Sequence, residues 1–508
     1  MEKCAASVKP VVSDKAAFCL LIFFTFVVTG ATVLNHYFFR SYAFDFAVYN
    51  FAFFDYAHFN ISPCPVYLFT YNVTFLQDHF SLTLMILSPL YWLLSGLTGT
   101  YTLLILQGII VSAGGWASYR LILFKTENRK LALLVLLYYF ILLGRLTAVA
   151  ADCNLAIIGS AVVPVFLYYF EKNKIVPAIV CFLFLIFNRE DFCLWLIFIC
   201  AFLMLWHRKE KVKLKFSTLL FFLSVLLSVL IFKFFIPSLE DENKKYSLFN
   251  FAALGATAPD ALLFMLKHPL EALKLLFVNH SGSNYYDGIK SEFYIVLLLS
   301  GGVVLFLRPL FLIPFLPLIA KKMYNDEPIR WGIESYYSVE VISILPVLVF
   351  LIIAGLKNEK LKLVLASLVC VSTLFMTLTK LTRPSEDHIA LLGDVQKTNI
   401  LSADFFHSYY DVDEIYETMR LVPDSAIVSA SGKLSSHLAF RKRLYFFPRI
   451  DNADYILLLK KNDNWPISQE RADTTVSYLL KYNWEVMSEK KDIICLRNTH
   501  IIKQDVSN

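Results

Sequence analysis

Charge is what this chain has least of. Only 17% of its 508 residues are Asp, Glu, Lys or Arg, where a water-facing domain usually carries about 25%. A soluble globular protein is excluded for most of the length. Zinc-site spacing is also missing. There is no CxxC or Cys/His pattern, and Cys19, Cys181, Cys193, Cys200 and Cys370 lie inside apolar runs, where a buried free thiol is the default. Outside those runs Cys64 and Cys153 could pair. No repeat of fixed period and no low-complexity tract occurs, so a solenoid or a disordered linker protein is not expected. The net charge of +6 is dispersed in short clusters between apolar segments, so it orients helices and gives no sign of a nucleic-acid partner.

Hydrophobic residues are abundant instead. They make up 57% of the chain, with 46 Phe and 27 Tyr, and the mean hydropathy is +0.58. Several runs exceed the ~20 residues a helix needs to cross the hydrocarbon core, and only helices or closed barrels satisfy their own backbone polar groups there. The chain reads as an all-α polytopic membrane bundle with membrane lipids as its surroundings. The apolar run 16–39 is too long for a signal-peptide core and lacks a small-residue cleavage site, so it is expected as an uncleaved first span.

Short loops rich in Lys and Arg face the cytoplasm. With the N-terminus inside, the segment 79–97 must lie on or dip into the outer face; as a span it would put Lys125, Arg129, Lys130 and the cluster Arg208–Lys215 outside. About eleven spans then follow, at 16–39, 100–124, 131–150, 154–170, 175–188, 191–206, 216–236, 292–307, 309–320, 338–356 and 361–379. Lys3, Lys9, Lys15, Lys125, Arg129, Lys130, Lys172, Lys174, Arg208, Lys215, Arg308, Lys357 and Lys362 all fall inside. Residues 1–380 form the helical domain, 40–99 its first outer loop. Residues 381–508 read as a small outer α/β domain: a helix over 411–422, strands over 426–431, 443–448 and 454–459, a short helix in LSSHLAF, a helix near 474–481 and a hairpin over 484–497.

This threading puts Asp45, Asp55, Asp78, Asp152, Glu190, Asp191 and Glu334 at the outer boundary. Ionisable groups at such depth are costly and mark pathways or sites. Asp45 sits in RSYAFDFAVYNFAFFDYAHFN, where a helix would place Asp45, Tyr49, Ala52 and Tyr56 on one face. Aromatic surroundings raise a carboxyl toward the range of a general base; the plainer reading is a cap on a helix starting at Phe46. Asp78 is an ordinary N-cap for 79–97, or its helix end and His79 face a phosphate. Arg189 could grip phosphate oxygens by paired hydrogen bonds, with Glu190 or Asp191 orienting it or binding a metal, or the turn is merely solvated, with a local ion pair. The sequons at Asn60, Asn72 and Asn279 matter only in a glycosylating host.

The phrases FDFAVYN (44–50), QDHFSLTLMILSPLYWLL (77–94), LLILQGIIVSAGG (103–115), Ala151–Asn154, Arg189–Asp191, Ser335–Ser338, HLAFRKRLYFFP and ADYILLL, in that order, resemble a family of bacterial and archaeal membrane proteins known as a domain of unknown function. That family is placed by similarity among the GT-C glycosyltransferases. Members often carry Gly at the place of Ala47, Gln at that of Phe51, and His at those of Asn154 and Tyr336, which leaves a His-dependent metal role without its ligands. The resemblance implies an essential acidic residue after span one and helices lying along the membrane. Asp45 and 79–97 match those two features. It further implies a polyprenyl-phosphate-linked sugar donor, an acceptor hydroxyl of unspecified kind, and inverting transfer at the outer face of a bacterial inner membrane. Asp45 would be the base, His79 and Arg189 the donor-phosphate ligands, and Asp78, Asp152, Glu190, Asp191, Glu334 and Tyr337 support. Mg²⁺ or Mn²⁺ could be held by Asp45, Glu190 and Asp191, though no cofactor is required. Two rivals remain. A transporter or flippase would show paired halves and broken helices near the midplane; a membrane scaffold would bind a partner through its outer domain.

Overall fold

A computed structural model describes residues 14–68, 72–240, 242, 249–382, 395–461 and 466–499. Lys3 and Lys9 of the N-terminal basic cluster lie outside them. The protein is mostly helical, with a small C-terminal sheet. Among the described residues five helices are long and apolar enough to cross a membrane: Lys15–Tyr37, Pro89–Thr126, Lys211–Leu239, Ser335–Ala354 and Glu359–Thr382. A sixth is counted if Arg129–Ile141 and Leu143–Ala151, bent by 48°, form one span.

That falls short of the eleven expected, for local reasons. Leu155–Glu171 and Glu190–Trp206 have 17 residues each and Ile175–Ile186 has 12. Residues 302–315 wind as 3₁₀ turns instead of α-helix. Pro309 and Pro314 remove backbone donors there, and each proline ring crowds the preceding turn. The stretch expected as one helix over 79–97 is divided likewise. It forms Thr83–Leu87 and Pro89–Thr98. The second piece joins the helix Thr102–Thr126 through Gly99, at φ +52°.

The helix ends gather in two groups. At one end Glu171, its side chain 1% exposed, receives Lys125, Lys213 at 2.7 Å and His207 Nε2 at 2.6 Å. Arg129 lies 3.7 Å from Asp14, and Asn128 donates to Glu359 at 3.3 Å. These are the ends whose basic loops were read as cytoplasmic. Between the two ends, helices approach closely where glycine permits. A Cβ on Gly114 would stand 2.5 Å from the Ala161 carbonyl oxygen, so Thr102–Thr126 and Leu155–Glu171 pack backbone against backbone.

At the opposite end sits the C-terminal unit, whose sequence reading holds closely. Strands β1 (Val428–Ala430), β2 (Leu444–Phe446), β3 (Tyr455–Leu459), β4 (Trp484–Glu489) and β5 (Ile493–Asn498) form one sheet in the order β2-β1-β3-β5-β4. β1 pairs parallel with β2 and β3; β5 pairs antiparallel with β3 and β4. Helices Val412–Arg420, Gly432–Ser435 and Gln469–Leu479 complete it. The unit is not separate from the bundle. One continuous apolar core joins Phe39, Phe46, Phe53, Phe75 and Leu103 to Ile415, Leu434, Phe446 and Leu457.

Glu171→Gln leaves two lysines and an imidazole facing a neutral amide, and breaking a buried pair costs about 3 kcal/mol. The thermal midpoint of the purified protein should fall clearly in Glu171→Gln and stay unchanged in Glu359→Gln, whose side chain is 63% exposed.

Candidate functional site

Asp45 is positioned by an irregularity. Residues Ala43–Ala47 form a single π turn: the Ala47 N–H bonds the Tyr42 carbonyl at 3.4 Å, five residues back, before the α-helix Val48–Ala57 begins. Such one-turn insertions recur at functional sites. Asp45 therefore caps nothing, and the capping alternative is corrected. Its carboxylate accepts the Tyr336 hydroxyl at 3.2 Å, and Tyr336 and Tyr337 hydroxyls are 3.2 Å apart. Protein surrounds the carboxyl closely, yet part of its surface stays open, so it lines a recess. Burial pushes its pKa up; the His79 and Lys397 charges and the Tyr336 hydrogen bond pull it back, and Asp78 pushes it further.

The first-loop residues arrive differently from expectation. Thr74 and Gln77 make a reciprocal cap on the short helix Phe75–Asp78. Asp78 thus ends a helix instead of starting one, and His79 is extended; no helix N-terminus opens at His79. Asp78 accepts the Tyr67 hydroxyl at 3.0 Å and stands 3.5 Å from His79 Nε2. Asp55 serves the loop itself, accepting from Ser62 N and Oγ at 2.6 and 2.9 Å.

Asp152 faces Lys397 Nζ at 3.1 Å. Burial sets its carboxyl at about 6, with Lys397 opposing and Asp45 adding to the rise. Lys397 also donates to the Arg40 carbonyl at 2.9 Å. Neighbouring Asn154 caps the next helix through Ala156 N at 2.8 Å and reaches Tyr49 Oη at 3.5 Å.

Arg189 is engaged by protein carboxylates. It holds Asp191 at 2.7 and 2.6 Å and Glu340 at 3.0 Å, while Lys321 holds Asp191 at 2.7 Å and Glu340 at 2.8 Å. Two cations and two anions close on one another. Glu190 next door is 6% exposed and its Oε2 has no hydrogen-bond partner among the described residues; the His79 charge reaches it as it reaches Asp45. Glu334 lies elsewhere. It is 4% exposed, Oε1 has no partner among the described residues, and burial with the nearby Glu292 pushes it up to about 7.

The structure thus brings Asp45, Asp78, His79, Asp152, Glu190 and Tyr337 into one neighbourhood, sets Arg189 and Asp191 at its edge in an ion-pair square, and leaves Glu334 outside it. Among the described residues no group of three His, Cys, Asp or Glu side chains stands close enough to hold a metal ion. Asp45, Glu190 and Asp191 do not converge on one point, so the set does not fit Mg²⁺ or Mn²⁺ as arranged. Cys64 and Cys153 are both free and buried. Sequence reasoning missed Lys397, Lys321, Glu340 and Tyr336 as partners. Glu340 inside an apolar helix was the one detectable signal, because a carboxylate there demands a cation.

The C-terminal unit closes over this region. Gly432 has no room for a Cβ, which would meet the Tyr42 ring at 2.6 Å, and Phe44 packs edge-on to Phe446 at 5.7 Å. Arg40, 8% exposed, donates to Asn35 Oδ1 at 3.0 Å and to the carbonyls of Gln396, Phe405, Asp404 and His407 at 3.1, 2.9, 3.3 and 2.6 Å.

A family model described as a predicted membrane protein, DUF2079, matches residues 35–495. No curated protein matches the chain.

Lysine cannot reproduce a planar five-donor fork. In Arg40→Lys the backbone amides of 396–407 should exchange hydrogen markedly faster by mass spectrometry, while the helix Lys15–Tyr37 keeps its protection; equal exchange in both proteins would refute the tether.

Proposed function

The chain belongs to the DUF2079 family of predicted membrane proteins, and from that premise we propose that it is a GT-C-type membrane glycosyltransferase with Asp45 as general base. The observation that carries this reading is the half-open Asp45 carboxyl, raised by burial and held by the Tyr336 hydroxyl in a recess lined by His79 and Lys397 charge. A carboxylate placed so is stronger as a base than one in water.

The donor would be a polyprenyl-phosphate-linked sugar entering from the lipid. Asp45 takes the proton of an acceptor hydroxyl as that oxygen bonds the anomeric carbon. The bond from that carbon to the phosphate oxygen breaks on the opposite face, the lipid phosphate leaves with the electron pair, and the carbon inverts. Lys397, and His79 when protonated, carry charge that reaches Asp45, and they would meet the developing phosphate charge. Arg189, bound to Asp191 and Glu340, would act on the donor phosphate chiefly by fixing this wall. Holding donor and acceptor in one rigid recess supplies the orientation that a single displacement needs.

The architecture proposed with it is about eleven membrane crossings, several by helices shorter than 18 residues, with the N-terminus cytoplasmic and the C-terminal unit outside a bacterial inner membrane. Grouping of Lys125, Arg129, Lys213 and Glu359 at one end, and of the carboxylate recess at the other, supports that orientation.

Incubated with polyprenyl-phosphate sugars, the purified protein should transfer or hydrolyse the sugar. Asp45→Asn, with folding intact, should lose about 10³-fold of that rate, as removal of a general base does. Proton-gradient-driven uptake without transfer would instead make it a transporter.

The pH profile gives a sharper check. Asp45 must be ionised to act, so the rate should rise with pH through its pKa, and the acidic limb should lie above the ordinary ~3.9 of aspartate. Tyr336 stabilises the ionised form. Tyr336→Phe should therefore move the limb to higher pH by about one unit, the worth of one hydrogen bond to a charge. An unmoved limb would remove Asp45 as the titrating base.

A further inference from the structure

Among the described residues, the helices between Lys211–Leu239 and Ile289–Leu299 are too short to span a membrane, yet they are not built for water alone. Helices Ala258–Lys267 and Pro269–Leu275 form a bent pair. Their inner side packs on the protein: Ala261, Phe264, Met265, Leu275 and Leu276 cluster with Ala320 and Tyr324. Their outer side is also apolar. Leu262, Leu263, Leu266, Leu270, Leu273 and Phe277 are 57%, 49%, 72%, 79%, 53% and 56% exposed. Asp260, Lys267, Glu271 and Lys274 are exposed on the same two helices, so the pair is amphipathic, as helices lying at a membrane interface are, and an exposed apolar patch of this kind marks an interaction surface.

What covers it follows from its continuity. Phe277 packs on Tyr294 at 5.1 Å. Tyr294 belongs to Ile289–Leu299, whose Ile295, Leu298 and Leu299 are 53%, 37% and 48% exposed in the same manner as the lipid-facing sides of the spans. Lys267 and Lys274 are interspersed with the patch, beside Glu271, with Tyr285 and Tyr286 just beyond it. Basic and aromatic residues so placed are suited to phospholipid head groups. We propose that residues 258–277 form an interfacial hairpin, its Leu262–Phe277 face immersed in the leaflet on the C-terminal unit's side, with phospholipid as its partner.

The hairpin is mechanically tied to the recess. Its inner side rests on Ala320 and Tyr324, and Lys321 between them holds Asp191 and Glu340. The depth of the recess relative to head groups is thereby set by this hairpin. The assignment stands on exposure and continuity and does not depend on the transfer chemistry.

The test is photocrosslinking in nanodiscs of phosphatidylcholine and phosphatidylglycerol. The photoreactive residue p-benzoylphenylalanine is placed at position 266 or 270, at 222 on the span Lys211–Leu239 as a lipid-facing reference, and at 478 on the C-terminal unit as a water-facing one. The replaced residues are all exposed, so the fold is not disturbed. Mass spectrometry should find phospholipid adducts at 266 and 270 in yields comparable to 222, with none at 478. If 266 and 270 behave as 478 does, or give a crosslinked second copy of the chain in place of lipid, the hairpin is not a lipid-immersed element. Either result leaves the Asp45→Asn rate comparison unaffected, so the two proposals fail separately.

Discussion

Keeping an acidic side chain out of bulk water but short of full burial is the constraint on which this structure turns. A carboxylate loses hydration there, and no single helix can restore what it loses. Asp45 is accordingly walled by parts of the chain that are remote in sequence: a hydroxyl from residue 336, ammonium charge from 397 and imidazole from 79. Asp152 obeys the same rule through Lys397, and Asp191 with Glu340 through Arg189 and Lys321. Asp152, Asp191 and Glu340 are each tied to a cation from another segment, so the helices cannot shift independently without parting charges in a poorly hydrated place.

Much of this was legible in the sequence. Hydrophobic run length announced a membrane protein, and positive charge in short loops sorted the helix ends into two groups. The C-terminal strands were readable because β-branched and aromatic runs alternate with turn residues from Pro423 onward. Asp45, Asp78, Asp152 and Glu190 stood out as acids among apolar neighbours, and they do share one region. What was not legible depends on side chains meeting across long gaps. Lys397 lies in a stretch of ordinary polar composition, with nothing to signal that it reaches Asp152. A local ion pair within Arg189–Asp191 was readable as an alternative and is present, whereas Glu340, the second carboxylate on Arg189, lies far away in sequence and was not. The π turn at Ala43–Ala47 was invisible because periodicity distinguishes 3.6 from 2.0 residues per turn but hardly registers one inserted residue.

Helix length misled for a different reason. Counting apolar residues treats a span as a straight α-helix, whereas proline and glycine here divide several of them. Pro309 and Pro314 convert one run to 3₁₀ turns, and Pro89 interrupts the first-loop helix. Short and broken elements tolerate membrane depth when neighbouring protein covers their backbone. Packing as tight as that at Gly114, where no side chain fits, provides such cover.

The joining of the first outer loop to the C-terminal unit carries a consequence for how the molecule comes into being. Arg40 waits for carbonyls at 396–407, and Asp152 for an amine some 245 positions downstream. Chains emerge from the ribosome N-terminal end first. The surroundings of Asp45 therefore stay incomplete through most of synthesis, until the final quarter of the chain has folded against them.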